Sequence, residues 1–246
     1  MIWWAVLALL VLSAVRPPAV SAGPEGAPPL VCPNSADVET PDQPLDHLAA
    51  AIRSGEPLDV LALGSANTVA SGRAGYPYAM VQALGVALPH TTFRLTIQGG
   101  RGLTAADLLD DLRAALKRQH IPLVIWQTGT VEAVRGIRPE ELRDVLEDGA
   151  AMIDAQRGNL VLMDPQFSRF LRANTDIDPY ERAIAAAAEL PGADLFRRFD
   201  LMHSWAEDGA LDLERTAAAD QPAVVSLLNR CVGRALARFV LNGIGR

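Results

Sequence analysis

From residue 45 onward, short apolar runs alternate with longer stretches in which apolar positions recur every three or four residues. The runs 58–63, 92–97, 123–126, 160–163 and 193–196 have the length of strands. The clearest helical stretch is 104–119, where Leu108, Leu109, Leu112 and Leu116 recur at helical spacing. Thr104 can cap its N-terminus, and Asp107, Asp110 and Asp111 precede Lys117 and Arg118, the order that suits the helix dipole. Further helices are expected over 77–88, 139–156 (closed by Gly158), 179–189 (closed by Pro191-Gly192) and 224–241. Strands that alternate with helices imply successive βαβ units and therefore an α/β fold around a parallel sheet of about five strands.

The two ends of the chain change this picture. Residues 2–12 are an apolar run too short to span a bilayer comfortably, and Val20-Ser21-Ala22 supplies the small residues a signal peptidase reads. The expectation is a signal peptide over 1–22, cleaved after Ala22. The competing reading is an uncleaved N-terminal anchor, since no Lys or Arg precedes the run and Arg16 follows it. Either reading puts the domain outside the cytoplasm, periplasmic or secreted, and cleavage would leave no stable membrane span. Residues 23–44 are rich in Pro and Gly without periodicity and read as an extended lead-in, which leaves 45–246 as one domain.

Half of the residues are hydrophobic, ample for a packed core. The formal charge is −7, and loss of Arg16 with the leader makes it more negative, the wrong sign for a nucleic-acid binder. Cys32 and Cys231 lie near opposite ends of the mature chain. An oxidising compartment would let them form a disulfide; two isolated thiols is the alternative. His47, His90 and His120 are scattered without metal-ligand spacing, and Gly99, Gly100 and Gly102 lack both a P-loop Lys and dinucleotide spacing, so no cofactor or metal is implied.

In an open parallel sheet, ligands bind beyond the carboxyl ends of the strands. The segments there are Gly64-Ser65-Ala66-Asn67-Thr68, Gln98-Gly99-Gly100-Arg101-Gly102, Gln127-Thr128-Gly129-Thr130-Val131-Glu132 and Asp164-Pro165-Gln166. Leu63-Gly64-Ser65-Ala66-Asn67-Thr68 and Trp126-Gln127-Thr128-Gly129-Thr130-Val131-Glu132-Ala133 resemble the nucleophile and third blocks of the exported branch of the SGNH/GDSL hydrolases. That resemblance implies a three-layer, flavodoxin-like SGNH fold and a serine esterase site. It places Ala66 at the nucleophile, Gly102 at the block-two glycine, Val131 at the oxyanion Asn and Glu132 at the Asp that follows it.

The resemblance allows two positions for the D-x-x-H motif. Asp220 and Ala223 stand immediately before the last helix, where the family keeps it, with Ala in place of His. Asp200-Leu201-Met202-His203 matches literally but leaves more than one closing helix behind it. On the first register the nucleophile, the oxyanion Asn and the base are all replaced, and an Ala methyl cannot attack a carbonyl. The expectation is a catalytically degenerate exported protein that binds an acylated glycan or supports a polysaccharide-modifying enzyme. The alternative is an active esterase or deacetylase using Ser65, Asp200 and His203, and a third reading is a purely structural assembly subunit.

Overall fold

The computed structural model describes residues 31–245. The expected signal peptide and the first part of the lead-in therefore lie outside the described residues. Five strands, β1 (Leu58–Gly64), β2 (Phe93–Gly99), β3 (Leu123–Gln127), β4 (Asn159–Met163) and β5 (Ala193–Phe196), form one parallel sheet in the order β2-β1-β3-β4-β5. This is the flavodoxin-like order, whose switch point lies between β1 and β3. Strands β3 and β4 are buried along their whole length, whereas edge strand β2 alternates between half-buried and exposed positions.

Among the described residues, ten α-helices connect and flank the strands. They are α1 (Asp46–Ser54), α2 (Ala66–Val69), α3 (Tyr76–Ala87), α4 (Ala105–Leu116), α5 (Thr130–Arg135), α6 (Pro139–Ala155), α7 (Arg169–Asn174), α8 (Asp178–Ala188), α9 (Arg198–Glu207) and α10 (Gln221–Gly243). One sheet face packs Leu61, Val124, Trp126 and Leu162 against Leu112 of α4, Leu146 of α6 and Ile184 of α8. The other packs Val60, Ile125, Val161 and Phe196 against Leu48 of α1, Met80 of α3, Trp205 of α9 and Leu236 of α10. The result is the three-layer α/β/α sandwich expected from the alternation of runs. In α4 the predicted cap forms reciprocally: the Asp107 N–H donates to Thr104 Oγ1, and the Thr104 N–H donates to Asp107 Oδ2.

Residues 32–44, expected as an extended lead-in, belong to the same compact unit as the sheet. A short 3-10 turn over Ala36–Val38 breaks the extended path. Polar contacts fasten it: Trp205 Nε1 donates to the Asn34 carbonyl, the Arg238 guanidinium donates to Glu39, and the Gln43 N–H donates to Asp194. Cys32 and Cys231 form a disulfide with their Cα atoms 5.3 Å apart. None of the described helices is long and apolar enough to cross a membrane.

Candidate functional site

The carboxyl edge of the sheet gathers the four segments named from the sequence. Gly64 and Gly99 pair across β1 and β2, and they meet so closely that a Cβ on Gly99 would lie 1.8 Å from the Gly64 carbonyl oxygen. Gly99 also has φ +141, so any side chain there is excluded twice over. This approach fixes the start of the turn that follows β1. Ser65 precedes α2, and Ala66, at the family's nucleophile position, is its first residue and is half-buried.

Gln127 at the end of β3 holds that turn from beneath. Its Oε1 accepts from the Ser65 N–H (3.3 Å), the Ser65 hydroxyl (3.1 Å) and the Thr68 hydroxyl (3.2 Å), and Thr68 Oγ1 also lies 3.1 Å from the Tyr76 hydroxyl. All four residues are buried, with Ser65 8% exposed. Burial pushes the Tyr76 phenol up, against a smaller opposing effect of its hydrogen bond with Thr68. The amide nitrogen of Gln127 finds no partner among the described residues. Asn67 faces another way and donates to Gln166 Oε1 at 2.9 Å.

The third block folds around Glu132. Its two carboxylate oxygens accept the backbone N–H groups of Ala105 (2.6 Å) and Gly129 (2.9 Å), so this side chain, 2% exposed, ties the N-terminus of α4 to that of α5. Val131 beside it is half-buried in α5. Gly102, at the block-two position, is half-buried and adopts φ +76, and a Cβ there would approach the Arg135 guanidinium to 3.0 Å.

Beyond β4 lies Asp164, in a segment named from the sequence, and beyond β5 lies Arg198, which the sequence pattern did not single out. Asp164 is buried; its Oδ1 accepts the Phe199 N–H at 2.9 Å, and burial pushes its carboxyl up to about 8 despite that bond and the nearby Arg198. Arg198 opens α9, is 3% exposed, and has its pKa lowered by burial. Its Nε and Nη2 have no hydrogen-bond acceptor among the described residues. An Arg-Arg pair normally reads as solvated surface, and Arg197 obeys this by pairing with Asp42 at 2.9 Å; only the apolar setting of Phe196, Phe199 and Leu201 hinted that Arg198 goes inside.

The remaining sequence-derived candidates fall into two groups. His203 sits in α9 with its ring beside Phe167 (centroids 4.6 Å apart) and Phe199 (6.0 Å), which also contact each other, and its Nε2 lies 3.1 Å from Glu207. The Ser65 hydroxyl thus bonds Gln127 rather than His203, and the carboxylate beside the His203 ring is that of Glu207 rather than the exposed Asp200. Asp220 and Ala223 are both exposed, one at the N-cap of α10 and the other in its first turn. Among the described residues, no three His, Cys, Asp or Glu side chains gather as they would to hold a metal ion.

A pocket of about 190 Å³ opens beside the β1 turn. Asn67, Tyr76, Gln166, Arg198 and Asn229 supply its polar lining, and Met202, Val225, Leu228 and Val232 are among its apolar walls. The Asn229 amide is itself engaged, accepting the Tyr76 N–H and donating to Ser71 and to the Val225 carbonyl.

Comparison with known proteins places this architecture. Among solved structures, TesA is 22% identical, with a TM-score of 0.56 over 74% of this chain and 99% of that one. Axe2, an acetylxylan esterase from Geobacillus stearothermophilus, is 18% identical with a TM-score of 0.58, covering 77% of this chain and 94% of its own. A two-domain esterase active on acetylated mannans (CEX), co-crystallised with mannopentaose, is 16% identical with a TM-score of 0.60 over 83% of this chain and 55% of that one. At these identities the likeness is one of fold, which is that of the SGNH hydrolases. No curated protein matches the sequence. The Non-GDSL lipase-like family, however, matches residues 31–246, nearly all of the chain, and the protein belongs to that family.

Proposed function

We propose that this protein is an exported SGNH-fold binding or accessory protein, catalytically degenerate as a hydrolase and acting in envelope or polysaccharide metabolism. The observation that carries this reading is the state of the β1 turn. The nucleophile position holds Ala66, and the neighbouring Ser65 hydroxyl is buried and committed to Gln127. A nucleophilic serine needs a base within hydrogen-bond reach, and an amide carbonyl cannot serve as one near neutral pH. With Val131 at the oxyanion position and Ala223 at the base position, three parts that act as a unit are replaced together.

Export is supported by the apolar leader and by the Cys32–Cys231 disulfide, since such bonds persist in oxidising compartments. An acylated glycan as ligand is supported by neighbours of the same fold, Axe2 and the acetylated-mannan esterase. The test is turnover of p-nitrophenyl acetate by wild type, Ser65→Ala and Ala66→Ser. None of the three is expected to exceed the buffer rate, because restoring a serine restores neither the base nor the oxyanion donor. Turnover by wild type that disappears in Ser65→Ala would overturn the proposal in favour of an esterase using Ser65, Asp200 and His203.

A further inference from the structure

We infer that the groove between α3 and α10 is a docking surface for a partner protein, filled by an amphipathic helix that is apolar on one face and carries carboxylates along its edge. This rests on the accessory role proposed above, and it names the surface and the partner's chemistry. The groove has a volume of about 400 Å³ and shares no lining residue with the pocket beside the β1 turn. Ala79, Ala83 and Val86 of α3 and Ala237 and Leu241 of α10 give it apolar walls, and the exposed Arg230 and Arg234 line it as well.

The composition of α3 points to a covered face. A helix at a protein surface normally turns charged or polar residues to water. Helix α3 holds no charged residue; it buries Tyr76, Pro77, Met80 and Leu84, yet leaves Val86 84% exposed and Ala79 and Ala83 half-buried. At Gly233 the two helices approach so closely that a Cβ there would lie 2.6 Å from the Ala79 Cβ. Two helices held side by side in this way form a trough into which the ridge of a third can pack.

Charge selects the occupant. The chain has a formal charge of −7, yet α10 carries three arginines and no acid over its 23 residues. Arg238 is answered by Glu39, as Arg94 is by Asp59 and Arg197 by Asp42. Arg230 and Arg234 form no ion pair among the described residues. They stand one turn apart, so two carboxylates at the same spacing on a helix laid in the groove would meet both. An anionic bilayer fits less well, because the surface is a groove and Val86 is the one fully exposed large apolar residue that lines it.

Fluorescence anisotropy tests this with a labelled synthetic helix of about 18 residues, Leu and Ala on one face and Glu at i,i+4 along its edge, beside counterparts with Gln or Lys in place of Glu. Wild type should bind the Glu peptide saturably and the Gln and Lys peptides at least tenfold more weakly. The double variant Arg230→Glu, Arg234→Glu should lose the Glu peptide and gain the Lys peptide. Arg53→Glu, at an exposed arginine in α1 away from the groove, should change nothing. Val86→Ser, which leaves the charges in place, should weaken the Glu peptide several-fold.

Equal binding of the Glu and Gln peptides, no exchange of preference in the double variant, or indifference to Val86→Ser would each overturn the inference. So would failure of the Glu peptide to bind while phosphatidylglycerol vesicles are captured by wild type and not by the double variant, which would assign the surface to lipid. Self-association in sedimentation velocity that the double variant abolishes would assign it to a second copy and equally overturn the inference. Ester turnover by wild type would instead overturn the non-catalytic reading and leave these titrations as they stand.

Discussion

Glu132 and Arg198 are both charged, both follow a strand at the carboxyl edge, and both are almost wholly buried, at 2% and 3% exposed. Their surroundings differ completely. Glu132 spends both oxygens on backbone N–H groups at two helix starts, where the helix dipole also favours a negative charge. Arg198 leaves one full edge without an acceptor among the described residues. A satisfied buried charge is part of the scaffold; an unsatisfied one beside a pocket costs stability and is held there by the surrounding fold. The contrast separates a buried charge that its surroundings satisfy from one that they do not, which the block-by-block family pattern does not do.

The contrast is sharpest in stability. Glu132→Ala should lower the unfolding free energy by about 3–5 kcal/mol in denaturant titration, since two charge-assisted bonds go and two buried N–H groups are stranded. A loss under 1 kcal/mol would mean that water replaces the carboxylate and that Glu132 is no scaffold.

The next effect concerns the neighbour of Arg198. Asp164 keeps its proton in the folded state up to about pH 8, but in the unfolded chain it ionises near the ordinary carboxylate value. Between those two points the native state holds the extra proton. Its contribution is therefore fully present below about pH 4 and is lost as pH rises toward 8, by up to about 1.4 kcal/mol per pH unit. Burial raises Glu181 and Asp194 as well, so they act in the same direction. Asp164→Asn should remove its part of the slope between pH 5 and 7.5. An unchanged slope would mean that Asp164 is ionised beside Arg198, making the pair self-balanced.

The smallest effect is the most diagnostic. In ligand-free protein, Arg198→Met should leave stability unchanged or raise it by about 1 kcal/mol, because it removes an uncompensated buried charge. A loss of 3 kcal/mol or more would place Arg198 with Glu132 among the scaffold residues and erase the distinction.

Periodicity carried the framework because it reports burial. All five strands lie where the apolar runs placed them, with ends shifted by one or two residues at most, and 193–196 coincides with β5. The five long helices were legible for the same reason. The short ones, α2, α5 and α7, span four to six residues, too few for a helical repeat to declare itself. Helix α9 was hidden differently: Arg198, Phe199, Leu201, Met202, Trp205 and Ala206 bury much of its circumference, leaving little polar face to set a period.

At the site, motif resemblance located the Ser65–Thr68 turn and the Gln127–Glu132 block. It could not say that Gln127 holds the turn together, because that role arises only when β1 and β3 lie side by side. Asp164 and Arg198 were illegible as buried groups for a simpler reason: both residue types are exposed by default, and their burial is decided by the packing of α9 and α10 over the ends of β4 and β5.

The Cys32–Cys231 bond lies 199 residues apart in sequence and encloses all five strands and the cleft in one covalent ring. Any single backbone cut between residues 33 and 230 opens that ring without dividing the molecule, and both pieces remain attached through the cystine. A nick in an exposed loop would then be damage in place rather than loss of a fragment, and the cleaved sheet would keep its partners within reach.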